Sequence, residues 1–333
     1  MPGVLPYSNI STHELVFSNS EMVYPSYHIQ RPSLIPGIPD EYMSVISPFV
    51  AYWIVSGIFS IIDALELPFF EKYRIHESEE VKSRNTVTRW GVVKAVLLQQ
   101  VFQTMLGLWY IDEEALARNH AAEMSTYSKW ISRIVFALLG EGTAKSVWTS
   151  QGENLTWWTY WWGVPVAQYL WAFFVLDTWQ YFLHRYFHTN KFLYRHIHSW
   201  HHRLYVPYSY GALYNHPLEG FLFDSLGGVV AHQLSFMSVR QAVVLFGICT
   251  AKTVDDHCGY ALPFDPFQLM CGNNADYHDI HHQTFGIKKN FAQPWFTHWD
   301  AILGTRMRRS ECPDRKKVKK EDSPLTRYYF KCN

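Results

Sequence analysis

Histidine carries the chemistry legible in this sequence. Seventeen histidines occur in 333 residues, and twelve of them fall between His184 and His282. HRYFH places His184 and His188 four residues apart, and HSWHH supplies His198, His201 and His202. HDIHH repeats the second spacing 80 positions later with His278, His281 and His282. On an α-helix, residues at i, i+3 and i+4 share a face, so each pattern is expected to aim its imidazoles at one point. Neutral imidazole ligates iron, zinc and copper, and these eight exceed what one four-coordinate zinc takes. The spacing therefore predicts a two-metal centre whose nitrogen-rich ligation suits O2-activating iron. His216 (in NHPLEG) and His257 (in DDHCGY) are candidates to complete the ligand set. His196, His232 and His298 read as structural or supporting, and His13, His76 and His120 as surface or core residues.

A metal-bound imidazole needs its other ring nitrogen held by a carboxylate or carbonyl. Asp177, about two helical turns before His184, and Asp279 are the carboxylates expected to do this. Asp276, Asp255 and Glu219 are further candidates. No pattern assigns substrate contacts. Tyr205, Tyr208, Tyr210 and Tyr214 lie between the ligand patterns and are candidate walls of an apolar slot, although packing is the commoner use of such residues. Protease chemistry is excluded by the residue after His184: a zincin needs H-E-x-x-H with Glu as general base, and here Arg185 follows. No G-x-S-x-G elbow, Walker A loop or G-x-G-x-x-G fingerprint occurs. Electrons for redox chemistry would have to come from another protein.

The elements that must position these histidines read as membrane helices. Ile46–Phe70 is apolar over the roughly 20 residues needed to cross a bilayer, with Asp63 and Glu66 near its end. Trp90–Tyr110 is a second candidate span, whose Lys94, Gln99, Gln100 and Gln103 require helix neighbours. Trp157–His184 is the strongest, opening with four Trp residues that resemble an interfacial belt. Phe221–Thr250 reads as a bent span or hairpin, and Trp130–Leu139 is too short to span alone. Residues 1–45 read as an extended lead-in, 46–156 as membrane spans and loops, 157–304 as the catalytic region, and 305–333 as a basic tail. Loop 71–89 holds five Lys or Arg, residues 185–203 hold four, and the chain from Arg306 onward holds ten. This puts the histidine-rich region on the cytosolic side. The number of spans and the side of the N-terminus stay open.

Composition agrees. Charged residues are 17%, against roughly 25% in soluble domains, and Trp, Tyr and Phe together also reach 17%. Zero formal net charge argues against nucleic-acid binding, which draws on excess positive charge. Five cysteines without a C-x-x-C pair read as reduced thiols, and the N-terminus shows no signal-peptide pattern.

The three histidine patterns, in this order, resemble the signature of the membrane fatty acid hydroxylase/sterol desaturase superfamily. Within it, the continuous stretch Asp177–Gly220, with the DDHCGY and DYHDIHHQTFGIKKNF segments, is similar to the sphingoid-base C4-hydroxylases. The resemblance covers most of the chain beyond residue 45. It implies an all-α, multi-pass membrane protein with a cytosol-facing, histidine-rich di-metal cap in the endoplasmic reticulum. Carried over by pattern, His184, His188, His198, His201, His202, His278, His281 and His282 would be ligands to two irons, with zinc able to take the same imidazoles. His216 and His257 match additional histidines seen in parts of the superfamily. Where other members have a second H-x3-H near the last pattern, this chain has His257 followed by Ala261, which leaves the ligand count open. The implied reaction is O2-dependent hydroxylation at C4 of sphinganine, or of a ceramide carrying it. Electrons would pass from NADH through cytochrome b5 and its reductase. Rival readings are a sibling oxidase of C4-methyl sterols or fatty acids, a desaturase, a divalent-metal transporter with a histidine-rich loop, and a haem electron carrier.

Overall fold

The computed structural model describes residues 15–110 and 118–313. Every regular element among them is helical; isolated β-bridges join Ile35 with Ile38 and Arg74 with Tyr260. The principal helices are α1 (Asp40–Leu65), α2 (Arg89–Tyr110), α3 (His120–Leu139), α4 (Glu141–Trp158), α5 (Val164–Thr189), α6 (Val239–Asp256) and α7 (Ala275–His282). The described residues divide into two compact units, 15–39 with 118–171 and 40–110 with 172–313, so that one boundary falls within α5 at Trp171/Ala172.

In the first unit, α3 and α4 form a helical hairpin turned at Gly140, whose φ of +70° disfavours any side chain. Asn119 caps α3 by accepting from Ala122 N. The lead-in is pinned to α3 by Ser128 Oγ, which accepts from Leu15 N, and by Ser125 Oγ, which accepts from Phe17 N. Met124, Tyr160 and Trp161 form its core. Trp130–Leu139 is thus the second half of a 20-residue helix.

In the second unit, α1 packs along α6. Ser47 Oγ donates to Val243 O at 2.8 Å, and the Arg240 guanidinium pairs with Asp40 at 2.6 Å. The fully buried Tyr52 donates from its hydroxyl to Tyr210 O. Among the described residues, two helices have the length and apolarity to cross a membrane: α1, and Arg89–Trp109 of α2. Both are turned inside out relative to a water-soluble helix. Ile54, Ile58, Ile61 and Leu65 of α1 face outward at helical spacing, as do Leu98, Val101, Met105 and Trp109 of α2. Gln99 and Gln100 of α2 are buried instead; Gln100 accepts from Trp53 Nε1, while Gln99 and Gln103 reach Asp224. A single helix in lipid could not satisfy these amides, but a helix packed on a protein unit can.

Trp157–His184 is helical throughout, with a π-helical turn at Thr159–Gly163, yet it is not one of those two helices. Its latter half turns Asp177, Gln180 and His184 inward, because that half serves the histidine site. Phe221–Thr250 breaks into a π-helical turn (Phe221–Leu226), a short helix (Gly227–Leu234) and most of α6, which Ser238 caps. The bend expected there lies between Leu234 and Val239. The tail from residue 314 and Cys332 lie outside the described residues; the other four cysteines are free.

Candidate metal centre

Nine histidines of the second unit converge in two adjoining groups. His184, His188, His198, His202 and His281 form one, and His201, His257, His278 and His282 the other; within each group the ligand atoms lie within 4.8 Å of one another. In the first group, Nε2 of His188 lies 2.7 Å from that of His198 and 3.2 Å from those of His184 and His202. In the second, Nε2 of His278 lies 3.0 Å from that of His257 and 3.1 Å from that of His282.

Each part of the site is delivered by local sequence. His184 and His188 occupy the last two turns of α5. Asn190 then caps the next short helix (Lys191–His196) by accepting from Phe192 N and Leu193 N, and a 3-10 turn (His198–Arg203) follows. His257 is the residue at which α6 stops. Asn274 caps α7 through Tyr277 N, and α7 carries the last pattern. After α7 the chain passes so closely that a Cβ on Gly286 would lie 1.8 Å from Ile280 O, which only glycine permits.

HRYFH keeps both its histidines in the first group, but for the two H-x-x-H-H patterns the expectation of one point is corrected. HSWHH sends His198 and His202 to the first group and His201 to the second; HDIHH sends His278 and His282 to the second and His281 to the first. The reason is angular. Consecutive residues point about 100° apart on the α-helix that carries HDIHH and about 120° apart in the 3-10 turn that carries HSWHH, so the adjacent pairs His281/His282 and His201/His202 face different groups. Each H-x-x-H-H pattern therefore straddles the two groups.

The opposite ring nitrogens fix what the inner ones can do. Nδ1 of His257 donates to Thr253 O at 2.7 Å, that of His281 to Lys289 O at 2.7 Å and that of His282 to Leu204 O at 2.8 Å. Nδ1 of His201 donates to Tyr214 O at 3.3 Å. A carbonyl only accepts, so each Nδ1 keeps its proton and each Nε2 is left with an unshared pair. His201 and His257 thus turn two unshared pairs toward each other at 3.4 Å, and buried His281 Nε2 has no protein partner. Such an arrangement is repulsive without a cation between the rings, and the histidine groups fit a metal site. Burial pushes His198, His257 and His281 down to about 3 and His201 down to about 4, so all four are neutral and metal-ready at pH 7.

That shift has a consequence for the metal-free protein. In the unfolded chain these rings take protons below about pH 6.5. In the fold they stay neutral to about pH 3–4. The unfolded state therefore binds more protons as pH falls through 6.5. Each such histidine withdraws about 2 kcal/mol of stability by pH 5. Thermal melts of apo-protein should fall steeply between pH 7 and 5. A midpoint that stays flat across that window would refute this.

Of the expected supporting carboxylates, Asp177 and Asp279 touch no imidazole of the two groups. Asp177 accepts from Trp295 N at 3.0 Å and Phe296 N at 2.6 Å, tying α5 to the segment whose Phe291 carbonyl lies 2.8 Å from His184 Nδ1. Asp279 binds His76 Nε2 at 2.7 Å and Arg309 Nη2 at 2.7 Å. Burial alone would raise Asp279, but His76 and Arg309 outweigh it and hold the carboxyl below its ordinary range. Asp276 pairs with Arg309, and Asp255 accepts from Gln268. The carboxylate that reaches a ring of the two groups is Glu219, whose Oε1 lies 2.6 Å from His198 Nδ1; burial pushes it up to about 7.

His216 stands outside both groups. It caps Pro217–Gly220, accepting from Leu218 N at 3.2 Å, and its ring packs edge-on to Trp200. His76 is buried between Glu80 and Asp279, not a surface residue. Asp300 was not singled out by the patterns: fully buried, it accepts from Phe291 N at 3.0 Å and Ala292 N at 2.8 Å. Its signal is faint, an acid in an aromatic stretch (HWDAILG). Tyr205, Tyr208 and Tyr214 are buried in the main core with Tyr210 packed against them, so packing is what the structure shows for the four tyrosines.

An all-helical unit enclosing two groups of inward-facing imidazoles fits the class of histidine-clustered metal-binding proteins. A match to the fatty acid hydroxylase family covers residues 169–305, which hold all nine. The chain is 46% identical over 284 residues to the sphingolipid C4-hydroxylase of Schizosaccharomyces pombe, covering 84% of this chain and 94% of that protein. It is 45% identical over 280 residues to the sphingolipid C4-hydroxylase of Saccharomyces cerevisiae (84% and 75%). It is 44% identical over 268 residues to sphinganine C4-monooxygenase 2 of Arabidopsis thaliana (80% and 88%). No solved structure matches the chain. This chain belongs to the fatty acid hydroxylase family.

Proposed function

We propose that this chain is a sphinganine C4-monooxygenase: it inserts one oxygen atom from O2 into the C4–H bond of sphinganine to give the 4-hydroxy base phytosphingosine, or into that of dihydroceramide to give the N-acylated 4-hydroxy base. The overall balance is substrate, O2, two electrons and two protons giving alcohol and water. The observation that carries the reading is the pair of imidazole groups with unshared Nε2 pairs, in a chain 44–46% identical to enzymes named for this C4 chemistry.

His184, His188, His198, His202 and His281 would hold one iron, and His201, His257, His278 and His282 the other. Bound iron would supply the O2 activation and hydrogen abstraction that side-chain acids and bases cannot perform on an unactivated methylene. The protein keeps the rings neutral by burial, orients them through their Nδ1 bonds, and shields the centre from water. The electron route is NADH to cytochrome b5 reductase to cytochrome b5. Zinc is an alternative occupant in purified protein, because the same nitrogens accept it. Outward apolar faces of α1 and α2 and exposed Trp90, Trp109, Trp158 and Trp171 support a multi-pass protein of the endoplasmic reticulum membrane. The Lys/Arg distribution supports a cytosol-facing centre. The nine imidazoles lie outside the two spanning-type helices, which disfavours a metal-transport path.

Purified protein reconstituted with iron, cytochrome b5, its reductase, NADH, O2 and sphinganine should yield a product heavier by one oxygen, with fragmentation placing the hydroxyl at C4. Unchanged sphinganine alongside turnover of a C4-methyl sterol, a fatty acid or a long-chain aldehyde would replace this reading with a sibling one.

A further inference from the structure

Lys252 is fully buried in the last turns of α6. An ammonium removed from water is costly unless its hydrogens find acceptors. Here Nζ binds Asp256 Oδ1 one turn on, and donates to Asn273 O at 3.1 Å. The other oxygen of Asp256 accepts from Asn273 Nδ2 at 2.9 Å, and that amide also reaches Pro294 O at 3.3 Å. The backbone N–H of Asn273 donates to Trp295 O at 3.0 Å.

One buried cluster thus joins three segments that build the centre. Asp256 immediately precedes His257, and Asn273 immediately precedes the cap of α7, which carries His278, His281 and His282. Pro294 and Trp295 continue the strip whose Phe291 carbonyl faces His184. None of these bonds is made to an imidazole. Replacing a buried ion pair by apolar residues of similar volume is often neutral or stabilising, so packing alone does not account for a lysine here.

We propose that the Lys252–Asp256–Asn273 cluster is a positioning device for the metal centre: it sets the gap between the end of α6 and the start of α7. That gap sets the separation of His257 and His278, whose Nε2 atoms stand 3.0 Å apart. Lys252 is accordingly a positioning residue for the second histidine group. This inference rests on the reading that each group holds an ion.

The test compares wild type, Lys252→Met, and the double variant Lys252→Met/Asp256→Asn, which leaves no unpaired charge. Each is purified in detergent and loaded with iron or zinc. Metal per chain and the rate of release to a chelator are measured, with far-UV circular dichroism and thermal midpoint as fold controls. The double variant should keep wild-type helicity and midpoint, yet release one of its two ions about tenfold faster, the size expected of a lost supporting contact. The other ion should leave at the wild-type rate. Release of both ions at wild-type rates by a folded double variant would overturn the proposal, showing that Lys252 only neutralises Asp256. An unfolded double variant would also overturn it, by assigning the cluster to folding. Wild-type protein that binds a single ion would sink the two-ion reading itself, a result distinct from either.

Discussion

His257→Ala should remove one ion from the centre and lower hydroxylation by more than about 100-fold, beyond the roughly 10–100-fold that loss of an outer-shell partner costs. His216→Ala should leave the ion count unchanged. The contrast follows from geometry, since both histidines lie outside the three repeated patterns. His257 ends α6, is held through Nδ1 by Thr253 O, and turns Nε2 to within 3.0 Å of that of His278. Only three imidazoles of its group would remain to hold the ion. His216 spends Nδ1 on Leu218 N and rests against Trp200, so its loss costs a helix cap worth about 1 kcal/mol and no ligand. Metal analysis of both purified variants, with helicity as the fold control, decides the matter. An ion lost from His216→Ala and kept by His257→Ala would invert the assignment.

Glu219→Leu should weaken metal retention by the first group about 10–100-fold, and Glu219→Gln should fall between Leu and wild type. Glu219 is the carboxylate in hydrogen-bond contact with a ring of the two groups, at 2.6 Å from His198 Nδ1. A carboxylate there fixes the tautomer, orients the ring and makes Nε2 a stronger donor to metal. Glutamine keeps an acceptor at the same place but not its charge. Leucine keeps neither, and it relieves the burial that pushes Glu219 up to about 7, so the fold should survive. Chelator competition on the three proteins measures the effect. Equal retention in all three would show that His198 needs no help from Glu219.

Much of this site can be read from spacing. The eight histidines of HRYFH, HSWHH and HDIHH all reach the centre, because i, i+3 and i+4 bring side chains to neighbouring directions whatever surrounds the helix. Which ion each would face is not readable from the grouping into motifs. Adjacent His201 and His202 diverge by about 120° in their 3-10 turn, and their destinations depend on which partner helix stands on each side. The two long apolar helices follow the same division. The apolar length of α1 and α2 is visible in sequence, whereas the fate of Gln99, Gln100 and Gln103 depends on Trp53 and Asp224, distant in the chain.

Carboxylates were the hardest to place. Asp177 lies at the right helical interval from His184, but it binds the backbone of Trp295 and Phe296, over a hundred positions away. Asp300 and His76 likewise support the centre through partners that no local pattern names.

Periodicity and composition are local properties, so the apolar helices and the eight histidines at metal-binding intervals can be read from the residues alone. Helix packing instead sets that His257 joins them while His216 does not, that each H-x-x-H-H divides between two groups, and that Glu219 backs His198. Those choices depend on where separate helices meet, and the meeting is set by packing and by buried ties such as Lys252–Asp256–Asn273.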